Sequence, residues 1–264
     1  MFKKYLEFKI EKNYKSKILK LLYGFLFIKN IEQNTFAKAN GVIEILSYYK
    51  ILKKQKISIS FVKNRFNNAS NGYEATVGNS SYEDGELGVL IVKLIQLLIK
   101  NNSINCLELG CGTGLVGEKI SKQNIIIVGV DLSENMLQIA KQKDVYDELH
   151  CVDIEKFLTI ETRTFDLIYA CSVIQFFDDN KLNILLLLLK NRLSNEGVFV
   201  FTFDLCEHGI QMNDKFFMEH SLQYIKLTAK KYFINVEVEE ISFGRVEQGK
   251  VVKCGLAIIS QAQP

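Results

Sequence analysis

Three acidic residues and a run of glycines carry most of the chemistry legible in this chain. The segment Leu107-Glu108-Leu109-Gly110-Cys111-Gly112-Thr113-Gly114 ends an apolar run and leads straight into a helical pattern. Glycines there let a backbone turn sharply and approach a ligand, and the first N–H groups of the following helix stay available as donors. Asp131 ends the next apolar run, in Gly129-Val130-Asp131-Leu132-Ser133, and Asp153 ends a third, in Val152-Asp153-Ile154. An ionised carboxylate accepts several hydrogen bonds and donates none, which suits a pair of ligand hydroxyls. Gly112-Thr113-Gly114-Leu115-Val116-Gly117, with Asp131 downstream, also satisfies the Gly-x-Gly-x-x-Gly spacing of nicotinamide and flavin sites. The glycines alone do not choose the ligand.

Two further side chains suit proton chemistry. His220 precedes a late helical pattern and belongs to the residue type that titrates near neutral pH. Asp204 follows an apolar run at the edge where open α/β sheets bind ligands. Both are expected to face a substrate. Tyr73, Phe176 and Phe177 are expected to close over the bound ligands and exclude water. No metal site is expected, because the three His and six Cys are scattered and no Cys-x-x-Cys pair occurs. The thiols read as those of a reduced, cytoplasmic protein. The single proline is Pro264, which removes any Asn/Asp-Pro-Pro-Tyr/Phe type of amino-group site.

These groups need a scaffold that brings strand ends together. Apolar runs at 104–109, 125–130, 149–152, 165–170 and 198–203 suit buried parallel strands, and helical patterns at 115–122, 133–141 and 179–193 lie between them. Such alternation predicts right-handed crossovers and a parallel sheet covered on both faces. A helix over 220–231 and two successive strands, 233–239 and 251–260, follow with a turn containing Gly244 and Gly249. With no helix between them, those strands pair as an antiparallel hairpin.

The N-terminal part differs chemically. Residues 1–56 hold 13 Lys and 4 acids, a charge of +9, whereas the remainder is −6. Residues 1–57 are expected to form a basic helical hairpin suited to an acidic protein partner, residues 58–84 an irregular linker or lid, and 85–264 the main domain. The net-acidic main domain argues against nucleic acid. No apolar run reaches the length of a membrane span, and the first residues lack the order of a signal peptide. At 48% hydrophobic and 24% charged over 264 residues, the chain is excluded from the collagenous, coiled-coil-only and disordered classes.

Glu108-x-Gly-x-Gly-x-Gly resembles motif I of the class I S-adenosylmethionine (SAM) methyltransferases, and 129–133 with Met136-Leu137 resembles their second motif. Phe165 to Ala170 and Leu193-Ser194-Asn195-Glu196-Gly197 resemble their fourth strand and the turn into the fifth, with Asn195 and Glu196 in place of the usual proline and glycine. The resemblance implies a three-layer, Rossmann-like, seven-stranded α/β sheet with SAM as cofactor. It implies that Glu108 helps place the ligand's amino group, that Asp131 takes the ribose hydroxyls and that Asp153 meets the adenine. Gly110, Cys111, Gly112, Gly114, Leu132, Met136, Ile154, Ala170, Tyr73 and Phe176 complete the implied cofactor contacts. Arg65-Phe66, Tyr73, 114–118, 145–149 and 220–224 further resemble predicted methyltransferases that often carry tetratricopeptide repeats.

The expected activity is methyl transfer to a small-molecule acceptor at oxygen, a carboxylate or a hydroxyl. Phe66-x-x-Ala69-x-x-x-Tyr73 also resembles the lid of carboxyl methyltransferases that act on an acyl-carrier-linked substrate in biotin synthesis. From other classes, a nicotinamide oxidoreductase and a non-catalytic SAM-binding scaffold remain open. Glu108 and the C-terminal hairpin weigh against the oxidoreductase.

Overall fold

The computed structural model describes residues 58–78, 85–99, 104–121, 124–213, 217–247 and 250–261. The expected basic hairpin over 1–57 lies outside them, as do 79–84 of the expected linker.

Seven strands form one sheet in the order β3-β2-β1-β4-β5-β9-β8. They are β1 (Ile104–Leu109), β2 (Ile125–Asp131), β3 (Glu148–Cys151), β4 (Phe165–Ala170), β5 (Leu193–Asp204), β8 (Asn235–Glu247) and β9 (Lys250–Ser260). β1 pairs in parallel with β2 and β4, β2 with β3, and β4 with β5, while β9 runs antiparallel to both β5 and β8. The chain reverses outward from β1 to β2 and β3, then returns to β4 on its other side. That switch leaves a crevice beyond the strands' C-terminal ends.

Helices cover both faces. Leu90, Leu94 and Leu98 of α3 (Glu86–Leu98) and Val116 and Ile120 of α4 (Leu115–Ile120) pack on one face with Ile127, Leu167 and Tyr169. On the other, α7 (Asp179–Lys190) buries Leu182, Leu185, Leu186 and Leu189, a stripe at helical spacing, against Ile168, Phe199 and Phe201. The Asp178 carboxylate caps α7 by accepting from the Lys181 N–H. α5 (Glu134–Gln142) and α6 (Ile154–Ile160) start at Ser133 and Asp153, which cap them in the same way. α8 (Leu222–Ala229) begins at the Ser221 cap. Among the described residues no helix is long and apolar enough to cross a membrane.

Several local expectations need correction. Much of the stretch read as an irregular linker is helical, with α1 at Ile59–Ala69 and α2 at Tyr73–Gly78. Its Asn-rich composition hid the Ser58 cap and a tertiary anchor, since Asn67 Oδ1 accepts from the Ser133 hydroxyl at 2.7 Å and the Asn67 carbonyl accepts from the Asn135 amide at 3.0 Å. Residues 193–197 are not a turn before β5 but part of it, paired to β4 through a register shift. A side chain at Gly197 would meet the Ser194 N at 2.8 Å. Gly244 likewise sits within β8 at an irregularity, left-handed at φ 58°, and not in the hairpin turn. A two-stranded ribbon, β6 (Ile210–Met212) with β7 (Met218–His220), was not anticipated.

Candidate functional site

The loop after β1 is pinned to the end of the neighbouring strand β2. The N–H groups of Gly110 and Cys111 both donate to the Val130 carbonyl, at 2.7 and 3.1 Å. Gly110, Gly112 and Gly114 are all left-handed, at φ 68°, 54° and 84°. A Cβ at Gly110 would meet the Val173 side chain at 2.5 Å, whereas one at Gly112 would meet nothing within 4 Å. Gly112 therefore faces open space, and its peptide can approach a ligand.

Asp131 holds this loop to the start of α5. Its Oδ2 accepts from the Gly112 N–H at 2.9 Å and its Oδ1 from the Ser133 N–H at 2.7 Å. Burial raises its pKa above the ordinary carboxylate range, and these backbone donors oppose the rise. Each oxygen keeps accepting capacity beyond its backbone bond.

Two adjoining cavities open here. The first, about 810 Å³ with its mouth, is lined by Asp131, Leu132, Met136, Asp153 and Ile154. The second, about 1530 Å³ with its mouth, is lined by Glu86, Glu108, Cys111, Gln175, Phe217 and Arg245. Gly110, Gly112, Phe66, Tyr73, Cys171 and Ser172 border both. Aromatic rings roof the junction. Phe66 meets Tyr73 edge-on at 6.2 Å and Phe176 at 5.7 Å, and Phe176 meets Phe217 at 5.4 Å.

Under the second cavity lies a buried charge cluster. Arg245 donates from Nη1 to Glu86 at 2.6 Å and from Nη2 to both Asp204 oxygens at 2.9 and 3.1 Å. Ser172 and Thr202 donate their hydroxyls to Glu86. Burial works to raise the Glu86 pKa, but Arg245 and these donors outweigh it and hold the carboxyl below its usual range. Ser172 is one of three non-glycine residues at positive φ among the described residues, at 53°.

Residues 107–201 match the family profile described as a methyltransferase domain. The sheet has the matching topology, a parallel set closed by an antiparallel hairpin. Its fold is that of the class I methyltransferases. A structure of a DhpI–S-adenosylhomocysteine complex superposes with a TM-score of 0.59 at 14% identity, covering 78% of this chain and 98% of that one. Magnesium protoporphyrin IX methyltransferase from Synechocystis with bound SAM gives 0.55 at 13%, covering 76% and 96%. In sequence, a malonyl-[acyl-carrier protein] O-methyltransferase of Bacillus cytotoxicus is 31% identical over 150 residues, 55% of this chain and 50% of that protein. A ubiquinone biosynthesis O-methyltransferase of Coxiella burnetii is 33% identical over 92 residues, 33% of this chain and 39% of that protein. The chain thus spans about half or less of the length of these curated relatives.

The fold brings most of the anticipated residues together but not all. Tyr73, Gly110, Gly112, Asp131, Leu132, Met136, Asp153, Ile154 and Phe176 line the first cavity, and Glu108 and Cys111 the second. Asp153 doubles as the α6 cap, accepting from the Lys156 N–H at 3.1 Å. Ala170 lines neither cavity, because its fully buried side chain packs in the core of the sheet. Gly114 lines neither, since the Tyr146 ring fills the space above it, 3.0 Å from where a Cβ would stand.

The structure does not carry His220 or Asp204 to either cavity. His220 ends β7 fully buried, stacked on Tyr224 at 5.7 Å and edge-on to Phe203 at 6.4 Å. Burial pushes its pKa down to about 4. Asp204, 1% exposed, is taken up by Arg245. Glu86, Arg245, Tyr146 and Gln175 were missed, since each acquires its setting from distant parts of the chain and no local motif marks it.

Proposed function

We propose that this chain is a SAM-dependent methyltransferase acting at an oxygen of a small-molecule acceptor. The observation that supports it most directly is Asp131. Placed at the end of β2 beside an open glycine loop and lining the first cavity, it offers an acceptor-only carboxylate to a pair of ribose hydroxyls. In this reading Asp153 and Ile154 meet the adenine, Leu132 and Met136 pack on the nucleoside, and Glu108 faces the ligand's amino group. The acceptor enters the second cavity.

When bound, SAM supplies a methyl group on an electrophilic sulfonium. The chain's own residues bind, orient and exclude water. Phe66, Tyr73 and Phe176 cover the junction of the cavities, so that donor and acceptor are held close under a dry roof, which accounts for much of the rate such a displacement needs. A carboxylate acceptor requires no base, whereas a hydroxyl must lose its proton.

Carboxyl methylation of an acyl-carrier-linked substrate is a second reading. It rests on the 31% and 34% identity to malonyl-[acyl-carrier protein] O-methyltransferases of Bacillus cytotoxicus and Priestia megaterium. Assay of methyl transfer to malonyl-acyl carrier protein tests it, and no product sinks it. The narrower likeness to the tetratricopeptide-associated methyltransferases rests on Arg65-Phe66, Tyr73, 114–118, 145–149 and 220–224, the last of which holds the end of β7 and the α8 cap.

Calorimetric titration with SAM, S-adenosylhomocysteine and NADH tests the main reading. Micromolar binding of both sulfur ligands, lost in Asp131→Ala, is expected. Binding of NADH alone overturns it.

A further inference from the structure

The second cavity has, beside Glu108, a polar side chain to which the cofactor reading gives no role. Gln175 sits in the short 3-10 turn Ile174–Phe176 that follows β4. It lines the second cavity and not the first. Its side chain is 4% exposed, yet its Oε1 has no hydrogen-bond partner. A buried amide oxygen left unpaired is costly, so such a group calls for an explanation. The turn is held on both sides, by Val173 wedged against Gly110 and by Phe176 within the aromatic roof. Gln175 is thus carried at a fixed place beside the glycine loop.

The charges around it restrict what can satisfy it. Glu86 and Glu108 line the same cavity, and Arg245 is engaged by Glu86 and by Asp204 behind it. The other lining arginine, Arg65, stands over the Phe217 ring, 4.5 Å from its centroid. An ionised carboxylate has no proton to give the Gln175 oxygen, and Arg245 is already committed to Glu86 and Asp204. A hydroxyl both donates to Oε1 and accepts from Nε2. The apolar remainder of the wall, with Phe66, Phe217, Leu87 and Val246, suits a ring-sized hydrophobic body.

From this arrangement we infer that Gln175 is the acceptor-reading residue, and that the acceptor is a hydroxyl-bearing apolar or aromatic small molecule rather than an ionised carboxylate. The inference rests on the methyltransferase reading above and narrows its acceptor. Gln175 binds and orients, and the acceptor's O–H is its hydrogen-bond donor.

The test uses the full chain saturated with S-adenosylhomocysteine, titrated by calorimetry with phenol and catechol and, for comparison, benzoate. The phenols bind at least tenfold more tightly than benzoate. Gln175→Leu weakens catechol at least tenfold and leaves S-adenosylhomocysteine affinity unchanged, which also shows that the variant is folded. Gln175→Glu, which keeps an acceptor oxygen at the same reach, recovers most of the catechol affinity. Benzoate binding as tightly as the phenols, no phenol binding, or equal catechol binding by Gln175→Leu overturns the inference while the cofactor reading stands. Failure of the wild-type chain to bind S-adenosylhomocysteine overturns both, and is seen before any acceptor is added.

Discussion

Tyr146 donates its hydroxyl to Glu108 at 2.7 Å, from a ring lodged in the space that Gly114, Gly117 and Gly129 leave open. Tyr169 donates to the same Glu108 oxygen at 3.0 Å. The glycines of the motif thus serve two ends, since Gly112 faces the cavity while Gly114 and Gly117 admit the tyrosine that holds the neighbouring acid.

Burial pushes the Glu108 pKa from 4.5 up to about 7, against the pull of both tyrosines. The folded protein then keeps a proton that the unfolded chain has released. Stability is full below about pH 4.5 and falls as pH rises through about 7, by about 3 kcal/mol at completion. Urea unfolding at a series of pH values checks this. Glu108→Gln flattens that slope, and an unchanged slope refutes the assignment.

Gly117→Ala and Gly112→Ala separate the two uses of glycine. At Gly117 a Cβ would stand 2.5 Å from the Tyr146 hydroxyl, so the tyrosine must move, at a cost of about 1–3 kcal/mol. At Gly112 the space is open and only the left-handed backbone resists, at about 1–2 kcal/mol. The added methyl there enters the proposed cofactor site. Calorimetry therefore finds the larger loss of S-adenosylhomocysteine affinity in Gly112→Ala, about tenfold or more, and thermal unfolding finds the larger loss of stability in Gly117→Ala.

Arg245 serves two buried carboxylates, Glu86 at 4% and Asp204 at 1% exposure. Arg245→Met strands both and is expected to cost about 3–5 kcal/mol in urea unfolding. The triple variant Arg245→Met, Glu86→Gln, Asp204→Asn removes the stranded charges and regains most of that loss. A triple variant no more stable than the single one contradicts the electrostatic account.

His220 behaves with the opposite sign to Glu108. Burial lowers its pKa from 6.5 to about 4, so below about pH 6.5 the unfolded chain takes a proton that the folded one refuses. Stability therefore falls as pH drops from about 6.5 toward 4. His220→Leu removes this component of the acid sensitivity. The same variant leaves the pH profile of methyl transfer near neutrality unchanged, and a profile that shifts restores His220 as a base.

The strand and helix alternation, the C-terminal hairpin, the glycine loop and the acids Glu108, Asp131 and Asp153 were legible because their signals are local. A buried strand is an apolar run, a left-handed turn is a glycine, and a strand-end acid lies beside both in sequence. What joins distant segments left no such mark. Arg245 reaches Glu86 across 159 residues, and Asn67 reaches Ser133 across 66, so the charge cluster and the docking of α1 exist only once the sheet has assembled. His220 and Asp204 show the same limit from the other side. Their residue types and positions near the sheet edge suited catalysis, but side-chain direction and burial are set by packing, which turned one between two aromatic rings and gave the other to an arginine.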